Sequence, residues 1–115
     1  MPESLVLSGQ VIDIMARKIF PAHVHIEGGK IKKISATDEP VSAQYILPGF
    51  VDAHVHVESS MLTPAGFARM AVVHGSVATV SDPHEIANVL GKQGVEYMLE
   101  DGAKVPFKFY FGAPS

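Results

Sequence analysis

The chain is 115 residues long, 47% hydrophobic and 18% charged, with a formal charge of −3 and no cysteine: enough for one small globular domain, and too apolar for wholesale disorder. Slight acidity without Lys/Arg clusters argues against a nucleic-acid or anionic-membrane surface, and the missing cysteines exclude disulfides, thiolate zinc sites and a cysteine nucleophile. No apolar run approaches the roughly 20 residues that span a bilayer, and MPESLVLSGQ has no basic segment leading into an apolar one, so a soluble cytoplasmic protein without a secretory leader is expected.

The predicted elements begin with short strands. In LVLSGQVIDIM, aliphatic and branched residues are interrupted by Ser8-Gly9, which reads as a turn. HVHIEGGKIKKI sets Glu27-Gly28-Gly29-Lys30 between two apolar runs, a hairpin signature. SATDEPVSAQ (residues 35–44) is polar and carries a proline, so it reads as a connector separating residues 1–44 from 45–115.

From Tyr45 the pattern changes. YILPGFVDAHVHV is predicted as one strand entered through Pro48-Gly49. Thr63 suits an N-cap and Pro64 the first helical position. Phe67, Met70, Ala71 and His74 follow at i, i+3, i+4 and i+7, and Gly75 closes the helix. SVATVS (residues 76–81) is a second strand, apolar and small enough to be covered on both faces. A second helical stretch runs from Glu85 to Ala103, with Val95, Met98 and Leu99 on one face and Gly91 and Gly94 as interruptions. PFKFYFGAPS is a third strand.

Strand, helix, strand, helix, strand is the rhythm of a parallel α/β sheet, open or closed. No G-x-G-x-x-G follows any strand, which removes the main sign of a dinucleotide fold. A (β/α)₈ barrel needs about 250 residues and these supply about three of its eight strands. On the barrel reading the chain is a fragment that ends on an unpaired edge.

AHVH occurs twice, at residues 22–25 and 53–56. Histidines at i and i+2 on a strand share a face. In the second copy alternation places Asp52, His54, His56 and Glu58 on one side and Val51, Ala53, Val55 and Val57 on the other. Two imidazoles flanked by carboxylates at the C-terminal end of a strand that looks central make a metal pair in the place where α/β barrels keep active sites. In the first copy, His23 and His25 precede the EGGK turn of a small antiparallel unit whose buried face is supplied by Val24 and Ile26. They read as its wet side. A further cluster, SDPHEIAN (residues 81–88), puts Asp82 and His84 on one face and opens the next helix with Glu85. Parallel order brings it beside His54 and His56, and loops after barrel strands carry function. His74, late on a helix, is assigned no chemistry.

LPGFVDAHVHVESSMLTP followed by SDPHEIANV resembles the amidohydrolase superfamily, and within it the adenine deaminases of bacterial type. PGFxDxHxH is shared by many amidohydrolases, whereas VESSMLTP and DPHEIANVLG are more particular. The resemblance extends over essentially all 115 residues, because LVLSGQVIDI…IEGGKIKKI is similar to the family's N-terminal β-sandwich segment, but it covers only the first part of a typical member.

The resemblance implies an α/β architecture in which residues 1–44 form that β-sandwich segment and residues 45–115 the first βαβαβ part of a (β/α)₈ TIM-type barrel. It implies hydrolytic deamination of adenine to hypoxanthine and ammonia, in purine salvage. It implies a divalent metal (Mn, Fe or Zn) held by His54 and His56, with the remaining ligands on later strands. Asp82 and His84 become substrate-binding candidates. Glu85 and Glu58 become candidates for proton transfer, with the main acid/base expected beyond Ser115, so the 115 residues alone are expected to be inactive. Adenine is the implied partner, with no nucleic acid and no membrane, and a homo-oligomer is expected.

The chemistry suits these residues. Displacing the C6 amino group of adenine needs a strong nucleophile, and a metal supplies one by lowering the pKa of water to about 7. A carboxylate must then pass a proton to the leaving ammonia. The cytidine-deaminase type of site needs P-C-x-x-C and is excluded by the absence of cysteine. Two alternatives stay open: another amidohydrolase, such as a cyclic amidase or deacetylase, or a non-catalytic assembly fragment.

Overall fold

Gly28 and Gly29, with φ of +55° and +73°, turn the chain between Glu27 and Lys30. Both left-handed positions fall on residues without a Cβ, as a two-residue hairpin requires. This hairpin belongs to a computed structural model that describes residues 4–113 and divides after Pro48 into two units.

The first unit is a four-stranded sheet in the order β3-β2-β1-β4, built from β1 (Ser4–Asp13), β2 (Lys18–Glu27), β3 (Lys30–Ala36) and β4 (Tyr45–Ile46). The turn expected at Ser8-Gly9 is absent, and β1 runs unbroken through it, paired with β2 over its whole length. Gly9 answers a different need. A Cβ there would lie 2.6 Å from the Gln44 carbonyl oxygen, just where Gln10 N donates to that oxygen at 2.8 Å to begin the parallel pairing with β4. The glycine permits a close backbone approach, which local sequence cannot distinguish from a turn. Val11, Ala22 and Val24 form the buried cluster, with Phe20, Ile26 and Ile46 packed against it.

YILPGFVDAHV likewise divides into two strands. Tyr45–Ile46 pairs with β1, and a separate β5 (Phe50–Val55) starts after Pro48-Gly49. Proline lacks the N–H that would continue a ladder. A Cβ on Gly49 would lie 2.4 Å from Val77 Cγ1, so the chain there passes against the next strand.

In the second unit β5, β6 (Ser76–Ser81) and β7 (Lys108–Phe111) make a parallel sheet with β6 in the middle. The strand expected to be central, β5, is an edge among the described residues. Its ladder with β6 shifts register between Phe50 and Val51 and again between Asp52 and Val55. Buried Thr79 steadies it by donating its hydroxyl to the Asp52 carbonyl at 3.2 Å. The valine face of β5 is accordingly not covered along its length: Val51 is exposed and only Val57, beyond the strand, is fully buried.

Helix α1 (Pro64–Val72) starts as predicted, with Thr63 Oγ1 accepting the Gly66 N–H at 3.2 Å and Pro64 at its first position. It ends at Val72, and Gly75, with φ of +90°, closes the turn after it. Its buried stripe differs from the one expected. Pro64 and Ala68 are buried, Phe67 and Ala71 half-buried, and Met70 is 60% exposed. Small residues bring this helix down on β6, and Phe67 meets Phe107 edge-on at 6.2 Å.

The second helical stretch is broken once. Gly91 (φ +59°, ψ −144°) separates α2 (His84–Leu90) from α3 (Lys92–Gly102). Gly94 does not interrupt α3. It lets α2 and α3 cross closely, since a Cβ there would sit 2.8 Å from the Ile86 carbonyl oxygen. Met98 faces inward as predicted, whereas Leu99 is 51% exposed. No helix among the described residues is long and apolar enough to cross a membrane.

One buried carboxylate fastens α3 to α1. Asp101 accepts the Ala65 N–H at 2.8 Å and the Lys104 ammonium at 2.9 Å. The Ala65 amide first, and Lys104 next, hold its carboxyl below the ordinary aspartate value, against the opposing effect of burial. A depressed folded-state value means that the stabilisation is complete above the ordinary aspartate value and is lost as pH falls below it. Lys104 is largely exposed, so the Ala65 contact carries most of the effect. Asp101→Ala is expected to lower the unfolding free energy by about 1–3 kcal/mol at neutral pH, because it leaves the part-buried Ala65 N–H without its acceptor. In urea titrations across pH, the gap between wild type and variant is expected to close on acidification.

Candidate metal centre

The C-terminal ends of β5 and β6 carry the cluster, and the backbone explains how. β5 ends at Val55. His56 lies just beyond it, and Val57 adopts helical angles (φ −58°, ψ −42°) with its side chain fully buried. That anchored residue turns the chain from extended into the 3₁₀ turn Glu58–Ser60, closed by Met61 in the left-handed region (φ +61°). Ser60 Oγ donates to the Val57 carbonyl at 2.6 Å and Met61 N to the Glu58 carbonyl at 3.0 Å.

His54 and His56 meet as their spacing predicts, with Nε2 atoms 3.0 Å apart and ring centroids at 4.9 Å. His56 Nδ1 lies 3.1 Å from the Asp82 main-chain carbonyl. A carbonyl only accepts, so Nδ1 carries the proton and Nε2 is left with its lone pair facing His54. A backbone acceptor behind a histidine ring is the arrangement that fixes tautomer and direction in metal ligands. Two nitrogens bound to one ion at about 2.0–2.1 Å stand roughly 3 Å apart, which matches the observed separation.

The second strand end supplies the rest. His84 Nδ1 is 3.1 Å from Asp82 Oδ2, and its ring meets that of His56 edge-on at 4.9 Å. Asp82 therefore orients two histidines, His56 by its carbonyl and His84 by its carboxylate. His56, His84 and Glu85 each offer a ligand atom, all within 4.8 Å of one another, and no other such group is found among the described residues. Asp82 Oδ1 and Glu58 Oε2 are shielded from solvent without a hydrogen-bond partner, so acceptor capacity remains at this end of the sheet. Neutral imidazoles with nearby carboxylates are a donor set suited to Zn²⁺, Mn²⁺ or Fe²⁺.

Two carboxylates expected on the histidine face are engaged elsewhere. Asp52 Oδ1 accepts the His54 N–H at 3.1 Å, a local bond two residues along. Glu58 has left the strand, and its Oε1 accepts the Ile86 N–H at 3.3 Å in the first turn of α2. Alternation stops at Val57, so Glu58 anchors a helix. His23 and His25 lie apart from any such cluster, facing Ser8 and Ser35, and Val6 and Lys33, across the first sheet. Sequence reasoning missed Ser59, whose hydroxyl donates to Glu85 Oε2. It also missed the Asp82 carbonyl, since a main-chain atom leaves no trace in residue type.

Comparison with known proteins matches residues 45–115 to the Amidohydrolase family. The adenine deaminase of Salinibacter ruber is 60% identical over 115 residues, which is 100% of this chain and 21% of that protein. Those of Sulfurovum sp. and Methanosarcina mazei are 63% and 55% identical over 107 residues, 93% of this chain and 20% and 19% of theirs. The chain spans about a fifth of the length of the curated relatives it matches.

Proposed function

The chain belongs to the amidohydrolase family, and from that premise we propose that it forms the opening part of a metal-dependent enzyme that hydrolyses adenine to hypoxanthine and ammonia. The observation that carries the metal reading is the pair of Nε2 atoms 3.0 Å apart, one with its tautomer set by the Asp82 carbonyl. Adenine is favoured over other amidohydrolase substrates by identities of 55–63% to adenine deaminases across the segments that carry the cluster.

In this reading His54 and His56 hold a divalent ion, and other ligands come from parts of the complete protein outside this chain. When bound, the ion supplies the acidity that makes water nucleophilic near neutral pH. His84 donates its Nδ1–H to the Asp82 carboxylate in a hydrogen bond, and its neutral ring then presents an Nε2 lone pair that can accept an N–H of the purine. Asp82 holds that ring in place. Glu85, rather than Glu58, is the carboxylate proposed to carry a proton towards the leaving amino nitrogen, because Glu85 stands in the cluster with His56 and His84 while Glu58 Oε1 serves the first turn of α2. Residues 45–115 are proposed as the first βαβαβ of a (β/α)₈ barrel, supported by the parallel order β5-β6-β7 and by a cluster at the C-terminal strand ends. Closure of a barrel pairs the edges that β5 and β7 otherwise present. Residues 1–44 are proposed as the β-sandwich segment.

The test is a substrate panel for the complete protein. Ammonia release from adenine is expected with a kcat/KM at least about 10²-fold above that for cyclic amides or N-acetyl sugars. Turnover of a cyclic amide without ammonia from adenine would contradict the assignment.

A further inference from the structure

We infer that Ser59 is a positioning residue that holds the Glu85 carboxylate in the histidine cluster. This rests on the metal-hydrolase reading and adds to it a residue that meets the histidines only through its backbone, Ser59 N donating to the His56 carbonyl at 3.2 Å. Two contacts join the 3₁₀ turn to the start of α2, and they do different things. Glu58 Oε1 accepts the Ile86 N–H, which fixes the helix backbone. Ser59 Oγ donates to Glu85 Oε2, which fixes a side chain. A glutamate has three rotatable bonds, and without a partner its carboxylate samples several rotamers. With one oxygen committed to Ser59, the carboxylate stays within reach of His56 and His84, so it also supports the ion those rings would face, and its second oxygen is left for proton transfer.

Ser59 can do this because its own position is overdetermined. Val57 is buried on one side of it, the Ser60 and Met61 hydrogen bonds close the turn on the other, and Glu58 ties that turn to α2. Ser59 itself is exposed. Its loss therefore frees Glu85 without loosening the turn.

The test uses the complete protein in four forms: Ser59→Ala, Ser59→Thr, Glu85→Gln and the Ser59→Ala/Glu85→Gln double variant. Mn²⁺ is titrated into the metal-free proteins, and adenine kinetics are measured at saturating Mn²⁺. Ser59→Ala is expected to weaken Mn²⁺ binding about tenfold and to lower kcat about tenfold or more, with KM within about twofold and an unchanged thermal midpoint. Ser59→Thr, which keeps the hydroxyl, is expected to restore most of both. In the Glu85→Gln background the serine change is expected to add nothing. Wild-type Mn²⁺ affinity in Ser59→Ala overturns the inference, as does an equal loss in the Glu85→Gln background or a fall in thermal midpoint shared by Ser59→Thr. The Mn²⁺ titration stands apart from substrate choice. If adenine is not turned over but Ser59→Ala still weakens Mn²⁺, the substrate assignment falls and the role of Ser59 stands.

Discussion

Replacing His54 and His56 together by alanine is expected to leave the complete protein without stoichiometric metal and to lower kcat/KM for adenine by about 10³-fold or more. The magnitude follows from what a bound ion supplies to hydrolysis, several kcal/mol, at a factor of ten per 1.4 kcal/mol. The direction follows from geometry. The two Nε2 atoms face each other at 3.0 Å, and the proton on His56 Nδ1 is held by the Asp82 carbonyl, so the His56 Nε2 lone pair points at His54 and an ion that takes it meets the second ring at the same place. His23→Ala is the matched control. His23 shares the AHVH pattern but faces Ser8 and Ser35 across its sheet, and its loss is expected to change neither metal content nor turnover. Elemental analysis alongside kinetics checks both. Full metal retention in the double variant would remove the histidine pair from the site.

Glu85→Gln is expected to lower kcat about 10²- to 10⁴-fold, the usual contribution of a positioned proton-transfer group. The amide preserves shape and can still accept from Ser59, so the change is confined to charge and proton affinity. Metal remains at saturating concentration, because the histidine pair is untouched. Glu58→Gln is the informative contrast. Glu58 serves the Ile86 N–H, and an amide oxygen accepts that bond as well, so kcat is expected to stay within about tenfold of wild type. Equal losses in the two variants, read from steady-state kinetics, would contradict the division of roles.

Much of the fold was legible wherever the signal is local. Gly28-Gly29 with flanking apolar runs, Thr63-Pro64 ahead of α1 and the small-residue strand SVATVS each carry their cause within a few positions. What escaped depends on partners distant in sequence. Gly9 looks like a turn residue until the Gln44 carbonyl lies against it, and Gly94 looks like a helix break until Ile86 does. The inward stripe of α1 is made by small Pro64 and Ala68 while the larger Met70 is left outside, and residue size alone does not announce that choice.

The site divides in the same way. An i, i+2 histidine pair is visible in sequence because a strand alternates, and His54 and His56 do meet. The extrapolation to Glu58 fails one residue later, where Val57 turns helical to bury its side chain. Ser59 and the Asp82 carbonyl act on partners 26 residues away, a distance over which residue type alone carries no geometry.

Anomalous diffraction from crystals of the complete protein grown with Mn²⁺ tests the central claim most directly. The prediction is a peak at bonding distance from the Nε2 atoms of both His54 and His56, with His56 Nδ1 still within hydrogen-bond distance of the Asp82 carbonyl. A map in which these rings bind no ion, or in which Mn²⁺ sits instead on His23 and His25, would contradict it.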